Sequence, residues 1–254
     1  MVDDASTDGS ADFLCRPKAA ARLLRTRGVG VAAARNRGAR ESRGQVIVYA
    51  DAHMSLPRGW WQPLLDLVAA PRAGAAAPVI VDEEEPRRKG YGLRLTGPDI
   101  TADWLRPNGK EPYTVPILPG CCLAMRRDVF DETGGFDGDM LRSGGVDNEL
   151  GIRFWLLGYE MWLAPRVEAR HLFRERPPYP VAWRYQLHNR LRLAFLHLNR
   201  RRAAKAVETL RGHTGFGDAM TLIEQDDLPT RRAELRARRV YDDDWFFGRF
   251  GGSW

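Results

Sequence analysis

The sequence has few cysteines and no long apolar run, and both absences narrow the class of protein. The three cysteines, Cys15, Cys121 and Cys122, are an odd number and two of them are adjacent, which indicates reduced thiols in the cytoplasm. No apolar run approaches the roughly 18 residues that a transmembrane helix needs. The N-terminus is acidic and polar, unlike a secretory signal peptide. We therefore expect a cytoplasmic protein, with peripheral contact to an anionic membrane left open.

The overall amino-acid composition is typical of a globular protein. With 254 residues, 44% hydrophobic and 28% charged, the chain is long enough for one large α/β domain or two small ones. Its net charge of +6 comes largely from arginine. This excess of positive charge favours anionic ligands such as nucleotide phosphates. The alternative is that the arginine content only reflects the base composition of the gene. Nucleic acid is not an expected partner, because no aromatic and basic repeat is found.

The most informative stretch is an apolar run that ends in two potential metal ligands. Val46–Ala50 is typical of a strand that is buried on both faces. Asp51 and His53 follow it, at the edge of the sheet where α/β proteins bind ligands. Residues two apart in an extended segment project to the same side, so the two side chains can converge on one ion. The alternative is a turn-capping aspartate beside an incidental histidine.

Further polar blocks stand at the ends of predicted elements. An acidic turn at Asp3 and Asp4 precedes a helical pattern that reaches Leu24. Acidic residues also begin an amphipathic helix after a glycine turn, where they complement the helix dipole or serve chemistry. The remaining candidates are an arginine and an asparagine in a run of small residues, two acids of that helix, and a histidine with a nearby arginine: Arg35, Asn36, Asp147, Glu149, His171 and Arg174.

The chain changes character after Pro177 and Pro178. Residues 181–207 carry one apolar stripe at helical spacing and predict a helix, on which His188 and His197 are structural. Arginine clusters at 200–202 and 231–239 either face solvent or contact anionic lipid. We expect two regions: an α/β catalytic domain at 1–176 and a helical extension at 177–254.

Taken in order, these blocks resemble family 2 nucleotide-sugar glycosyltransferases with the GT-A fold. The Asp51-x-His53 spacing, Gly144-Gly145 before Glu149, and the segment from Arg170 to Arg174 are most similar to the polypeptide N-acetylgalactosaminyltransferase branch. The resemblance covers residues 2–174. It implies a Rossmann-like, mostly parallel central sheet flanked by helices.

The resemblance also implies roles for the candidate residues. Asp51, His53 and His171 would bind Mn²⁺ (or Mg²⁺), which stabilises the leaving diphosphate of a UDP-sugar. Asp147 occupies the position of the base in inverting members, and Glu149 is a second catalytic candidate. The expected nucleotide contacts are Asp3 or Asp4 at the base and ribose, and Arg35, Asn36 and Arg174.

Several departures from the family leave alternatives open. The family's first strand and helix, which precede the Asp3-Asp4 block, are missing, and Val146 replaces an acid that inverting relatives carry, so the stereochemical outcome stays open. No lectin-like cysteine-rich domain is present, so a peptide acceptor is not carried over. We expect a hexosyl- or N-acetylhexosaminyltransferase acting on a glycan, lipid-linked, peptide or small-molecule acceptor. The alternative is an inactive, truncated relative that acts as a binding subunit.

Overall fold

The computed structural model describes residues 1–16, 21–174, 181–252 and 254, which form a mixed α/β fold. A central sheet is flanked by helices and followed by a helical C-terminal region, so the predicted fold class is confirmed. Within the described residues, no helix combines the length and the apolar composition that crossing a bilayer requires.

The N-terminal segment forms a small parallel pair of strands. Strand β1 (Val2–Asp4) pairs with β2 (Leu24–Thr26), and helix α1 (Val31–Glu41) follows. A single 3₁₀ turn, Asp12–Cys15, lies between the two strands. The helix predicted to reach Leu24 was therefore wrong at its end, because Leu24 pairs with β1; positions 17–20 lie outside the described residues.

Most strands belong to one seven-stranded sheet, whose main order is β3-β10-β5-β11-β4, with β6 on β5 and β9 on β11. Its strands are β3 (Val46–Ala50), β4 (Met54–Ser55), β5 (Ala73–Asp82), β6 (Lys89–Gly90), β9 (Tyr113–Thr114), β10 (Cys122–Arg126) and β11 (Glu160–His171). A separate antiparallel pair is formed by β7 (Leu93–Leu95) and β8 (Ala102–Trp104).

The directions of these strands refine the predicted sheet. β3, β5 and β11 point the same way, as in a mostly parallel sheet, but β10 lies antiparallel between β3 and β5, and the short strands are also antiparallel to their neighbours. β3 was predicted to be buried on both faces, and this was wrong. It is an edge strand, paired only with β10, and Val48 is exposed while Ile47 and Tyr49 are buried.

Helices cover the sheet with apolar side chains. Helix α2 (Gln62–Val68) packs Leu64 and Val68 against the sheet, and α3 (Arg127–Thr133) follows β10. Helix α4 (Val146–Leu156) is buried over ten of its eleven residues. Burying each leucine- or phenylalanine-sized side chain contributes about 1.5–3 kcal/mol, so α4 is a central support of the fold.

The C-terminal region contains five helices: α5 (Trp183–His197), α6 (Arg200–Leu210), α7 (Phe216–Glu224), α8 (Leu228–Arg238) and α9 (Asp243–Phe250). The single helix predicted over 181–207 is interrupted, because the Asn199 side chain accepts a hydrogen bond from the Arg202 amide and starts α6 anew. His188 and His197 are buried, in agreement with their structural assignment. The proposed boundary at 176–177 lies outside the described residues.

These helices share the hydrophobic core of the α/β region. Leu193, Ala203 and Phe246 belong to the same buried cluster as Trp155 of α4 and Ile117. The C-terminal helices thus pack into the same core as the α/β region.

A break in the sheet separates β1 from β3. The two strands do not pair, and they line a groove of about 520 Å³ between them. Three site candidates, Asp4, Arg35 and Asp51, also line the groove.

Candidate metal and nucleotide site

The structure brings Asp51, His53 and His171 together. One ligand atom from each lies within 4.8 Å of the others, and the ring centroids of the two histidines are 4.5 Å apart. Nε2 of His171 is 3.8 Å from Oδ2 of Asp51. The three predicted metal ligands thus form one cluster at the carboxyl end of the sheet.

Strand pairing produces this cluster. The backbone of Asp51 is fixed at the end of β3 by its N–H, which donates to the Cys121 carbonyl at 2.8 Å. The two-residue strand β4 then pairs with the end of β11, with Met54 opposite His171. The Leu172 N–H donates to the His53 carbonyl at 3.2 Å. Two distant histidines are therefore held side by side by main-chain hydrogen bonds.

The protonation of the cluster suits a cation. Burial raises the pKa of Asp51, but its contact with His171 and the charge of Arg35 outweigh burial and lower that pKa overall. Burial and the neighbouring His171 lower the pKa of His53. Near neutral pH, the cluster therefore offers a carboxylate and a neutral His53 imidazole, which are the protonation states that bind metals.

The residues present also fit a divalent metal on other grounds. Nε2 of His171 faces Oδ2 of Asp51 at 3.8 Å, a separation that leaves room for an ion bound by both atoms. One carboxylate and two imidazoles suit Mn²⁺ better than Ca²⁺, which prefers oxygen ligands throughout.

Arg35 links the metal ligand to the candidate base. Its guanidinium donates to Oδ1 of Asp51 at 3.0 Å and to Oδ1 of Asp147 at 3.3 Å, and lies 5.0 Å from the ring centroid of Phe136. Its side chain is only 15% exposed. Arg35 is therefore positioned to orient two carboxylates, in addition to its predicted role toward phosphate.

Asp147 faces this cluster from the first turn of α4. Its Oδ2 accepts the Gly120 N–H at 2.8 Å, and its side chain is 30% exposed. A Cβ atom on Gly120 would lie 2.2 Å from Asp147 and 2.4 Å from Arg35. Any side chain at position 120 would therefore displace the carboxylate of Asp147 and the guanidinium of Arg35, and glycine leaves both in place.

The side chains of two predicted site residues, Glu149 and Asn36, are buried in contacts with other parts of the protein. Glu149 is fully buried: its carboxylate accepts hydrogen bonds from Arg153 Nε at 2.6 Å and lies 2.9 Å from His197 Nε2. Burial raises the pKa of Glu149, but Arg153 and His197 lower it overall. The carboxylate thus neutralises a buried arginine, and a catalytic role of Glu149 stays a prediction. Asn36 is also buried, and its side-chain amide exchanges two hydrogen bonds with the Phe136 backbone, at 2.7 and 2.9 Å, so its contact with a nucleotide stays a prediction.

The N-terminal acids differ from each other. Asp3 is buried and accepts from the Ser6 amide and Arg25, and the Ser6 hydrogen bonds lower its pKa. Asp4 caps the loop before α1 by accepting from the Val29 and Gly30 amides at 2.7 and 2.8 Å. Only Asp4 lines the groove that also contains Asp51.

Two aromatic features of the site were missed in the sequence. Phe173 is exposed, and its ring centroid lies 4.3 Å from that of His171. The Phe173 ring therefore covers one side of the cluster of Asp51, His53 and His171. Arg174 is exposed next to it, and its charge also lowers the pKa of His53. Trp104 contacts Phe173 edge-on at 6.1 Å. The available signal for Phe173 was its place between His171 and Arg174, two predicted site residues.

Comparisons with known proteins agree with this geometry. The family model "Glycosyl transferase family 2" matches residues 1–134. Human polypeptide N-acetylgalactosaminyltransferase 15 is 26% identical over 97% of this chain and 41% of its own length. A putative polypeptide N-acetylgalactosaminyltransferase 13 of Drosophila melanogaster is 31% identical over 58% of this chain and 28% of its own length. The chain thus spans less than half the length of these relatives.

Solved structures show the same fold. A crystal structure of GalNAc-T7 with UDP, GalNAc and Mn²⁺ aligns with 97% of this chain and 49% of its own, at a TM-score of 0.74 and 19% identity. The mannosyltransferase PcManGT from Pyrobaculum calidifontis, in complex with GDP-Man and Mn²⁺, aligns with 93% of this chain and 75% of its own, at a TM-score of 0.52 and 20% identity. Because the family model covers more than half of the chain and the fold agrees, this protein belongs to glycosyl transferase family 2.

Proposed function

We propose that this chain is a metal-dependent glycosyltransferase that moves a hexosyl or N-acetylhexosaminyl group from a UDP-sugar to an acceptor hydroxyl. The observation that carries the proposal is the convergence of Asp51, His53 and His171 on one point. Mn²⁺ held by these residues would act as a Lewis acid on the diphosphate of the donor.

In the reaction proposed, the bond between the anomeric carbon and the diphosphate oxygen breaks, and its electron pair leaves with the diphosphate. The acceptor oxygen forms the new bond to that carbon, and its proton passes to Asp147 if the configuration is inverted. Asp147 is partly exposed, so an acceptor can reach it, and its two oxygens are oriented by Gly120 and Arg35.

The groove between β1 and β3 is the proposed place of the nucleoside. It is lined by Asp4 and continues to Asp51, so a nucleotide lying in it would place its diphosphate at the metal cluster. Arg174 is the proposed phosphate partner, because it is exposed beside His53. The choice of UDP rests on the relatives, among which GalNAc-T7 was crystallised with UDP and PcManGT with GDP-Man.

The competing function is that of a binding subunit without catalysis. The observation that favours it is the break between β1 and β3, because a site wall built from two unpaired strand edges holds a nucleotide less firmly than a continuous sheet. Turnover separates the two functions.

The test is release of nucleoside diphosphate from a panel of donors, UDP-GalNAc, UDP-GlcNAc, UDP-glucose and GDP-mannose, with Mn²⁺ and a mixture of acceptor sugars. We expect a UDP-sugar to be turned over, and Asp51→Asn and Asp147→Asn to lose at least about 100-fold in rate. Asp66→Asn, an exposed aspartate on α2, is the matched control and keeps the wild-type rate. Absence of turnover for every donor, in a protein that binds UDP with Mn²⁺, would favour the binding subunit.

A further inference from the structure

A second, larger cleft opens beside the metal cluster. It has a volume of about 1170 Å³ and lies between β6, the β7–β8 pair and the end of α9. Phe173 forms its boundary with the metal cluster, since this ring lines the cleft and packs on His171 at 4.3 Å. A ligand in the cleft would thus lie next to the donor sugar, which is where an acceptor has to be.

The cleft has a strong excess of positive charge. Six arginine or lysine side chains line it, against two aspartates. Two of the cations are neutralised: Arg88 lies 3.6 Å from Asp82, and Lys89 pairs with Glu168. Arg249 is held over the rings of Trp155, Trp245 and Phe250, at 5.2 to 5.7 Å from their centroids.

The other three cations are available to a ligand. Arg87, Arg94 and Arg106 are exposed, and none has a carboxylate within ion-pair distance in the part of the chain that the structure describes. Asp103 is opposite Arg94 in the strand pairing, but its Oδ1 accepts the Trp104 amide instead. Three unpaired guanidinium groups around one cleft attract phosphate or carboxylate groups, which arginine binds through two parallel hydrogen bonds.

Aromatic rings share the cleft with these arginines. Tyr91 and Trp104 line it, and the Trp104 ring fits against Gly90, where a Cβ would be 1.9 Å from a ring carbon. Flat apolar rings beside polar groups are typical of sites that orient a ring-shaped ligand. We propose, on the basis of the transferase function above, that the acceptor is an anionic carbohydrate, whose phosphate or carboxylate is bound by Arg87, Arg94 and Arg106.

The experiment is a calorimetric titration of glucose 6-phosphate, and of neutral glucose, into the whole chain at about 0.15 M ionic strength. Each titration is done twice, once in EDTA and once with saturating Mn²⁺ and UDP. We expect the phosphorylated sugar to bind at least about tenfold more tightly than glucose in both conditions, because charged hydrogen bonds are lost in the neutral sugar. Arg87→Gln/Arg106→Gln should lose this preference.

The matched control is Arg200→Gln/Arg236→Gln, which removes the same charge from exposed positions on α6 and α8 and should bind as wild type. Equal losses in both double variants would show a general charge effect and overturn the proposal. So would displacement of the sugar phosphate by UDP with Mn²⁺, which would assign it to the donor site, or binding to phosphatidylglycerol vesicles in place of the sugar phosphate.

Failure of the transferase proposal and failure of the anionic-acceptor proposal give different results in these titrations. If UDP does not bind with Mn²⁺, the transferase proposal fails, while the titration in EDTA still reports on the arginines. If the EDTA titration shows no preference for the phosphorylated sugar, the anionic acceptor is excluded, whatever the outcome with UDP.

Discussion

The imidazole rings of His53 and His171 lie 4.5 Å apart, at the end of two paired strands. If both rings were protonated, their positive charges would repel each other. The charge of His171 is one cause of the lowered pKa of His53. The pair is therefore a better candidate for binding a metal ion than for holding two protons.

Metal affinity should consequently depend on pH with a definite sign. Because the pKa of His53 is lowered from 6.5, His53 is still neutral when the pH drops slightly below that value, and affinity for Mn²⁺ should hold until the pH falls through the lowered pKa. Asp51, whose pKa is also lowered, stays ionised over this range. The free Mn²⁺ signal in electron paramagnetic resonance measures the affinity, and an affinity that already falls as the pH passes through about 6.5, the ordinary pKa of histidine, would contradict the assignment.

Arg35 should be sensitive to a substitution that keeps its charge. Arg35→Lys cannot reach Asp51 and Asp147 at the same time, since it lacks the planar fork of donors. Loss of such an outer partner costs roughly 10- to 100-fold in metal affinity, which we expect for Mn²⁺. The control is Arg37→Lys on the same helix, where an exposed pair with Glu41 at 2.9 Å tolerates the change. Equal affinity of both variants would remove the orienting role of Arg35.

Glu149→Gln should destabilise the protein, because it leaves the buried Arg153 charge uncompensated. Breaking a buried pair costs about 3–5 kcal/mol, so the midpoint of urea unfolding should fall markedly. Asp147→Asn, two residues away and partly exposed, should change the free energy of unfolding by less than about 1 kcal/mol while removing activity. A Glu149→Gln variant that is as stable as the wild type but inactive would support the catalytic role that the sequence suggested for Glu149.

Gly120→Ala should impair turnover through a steric effect. The added methyl group would lie 2.2 Å from Asp147 and 2.4 Å from Arg35, so both side chains have to move. Misplacement of a catalytic group by about 1 Å costs roughly 100-fold in rate. Gly217→Ala on α7, which has no atom within 4 Å of the new methyl group, is the control. A normal rate for Gly120→Ala would exclude the tight arrangement around Asp147.

The sequence predicts the metal cluster because its signal is local. Asp51 and His53 stand directly after an apolar run, and this position marks them as candidates without knowledge of the fold. The extended backbone predicted for this segment was wrong, because the chain turns at Ala52 and His53 before β4 begins. His171 was reached only through the family resemblance, since its place depends on the pairing of β4 with β11.

Helix α4 shows where sequence reasoning stops. Asp147 and Glu149 are both acids in its first turn, but residues two apart on a helix point to nearly opposite sides. One therefore faces Arg35 and the other faces Arg153 in the core. Which side is buried depends on the packing of α5, whose His197 contacts Glu149, and that contact is far away in the sequence.

Calorimetric titration of UDP, with and without Mn²⁺, tests the account most directly. UDP should bind wild-type protein only when Mn²⁺ is present, and His53→Ala and His171→Ala should each abolish binding, while His213→Ala, an exposed histidine after α6, should leave it unchanged. UDP binding that is equally tight in EDTA, or that survives the loss of His171, would contradict a metal site built from Asp51, His53 and His171.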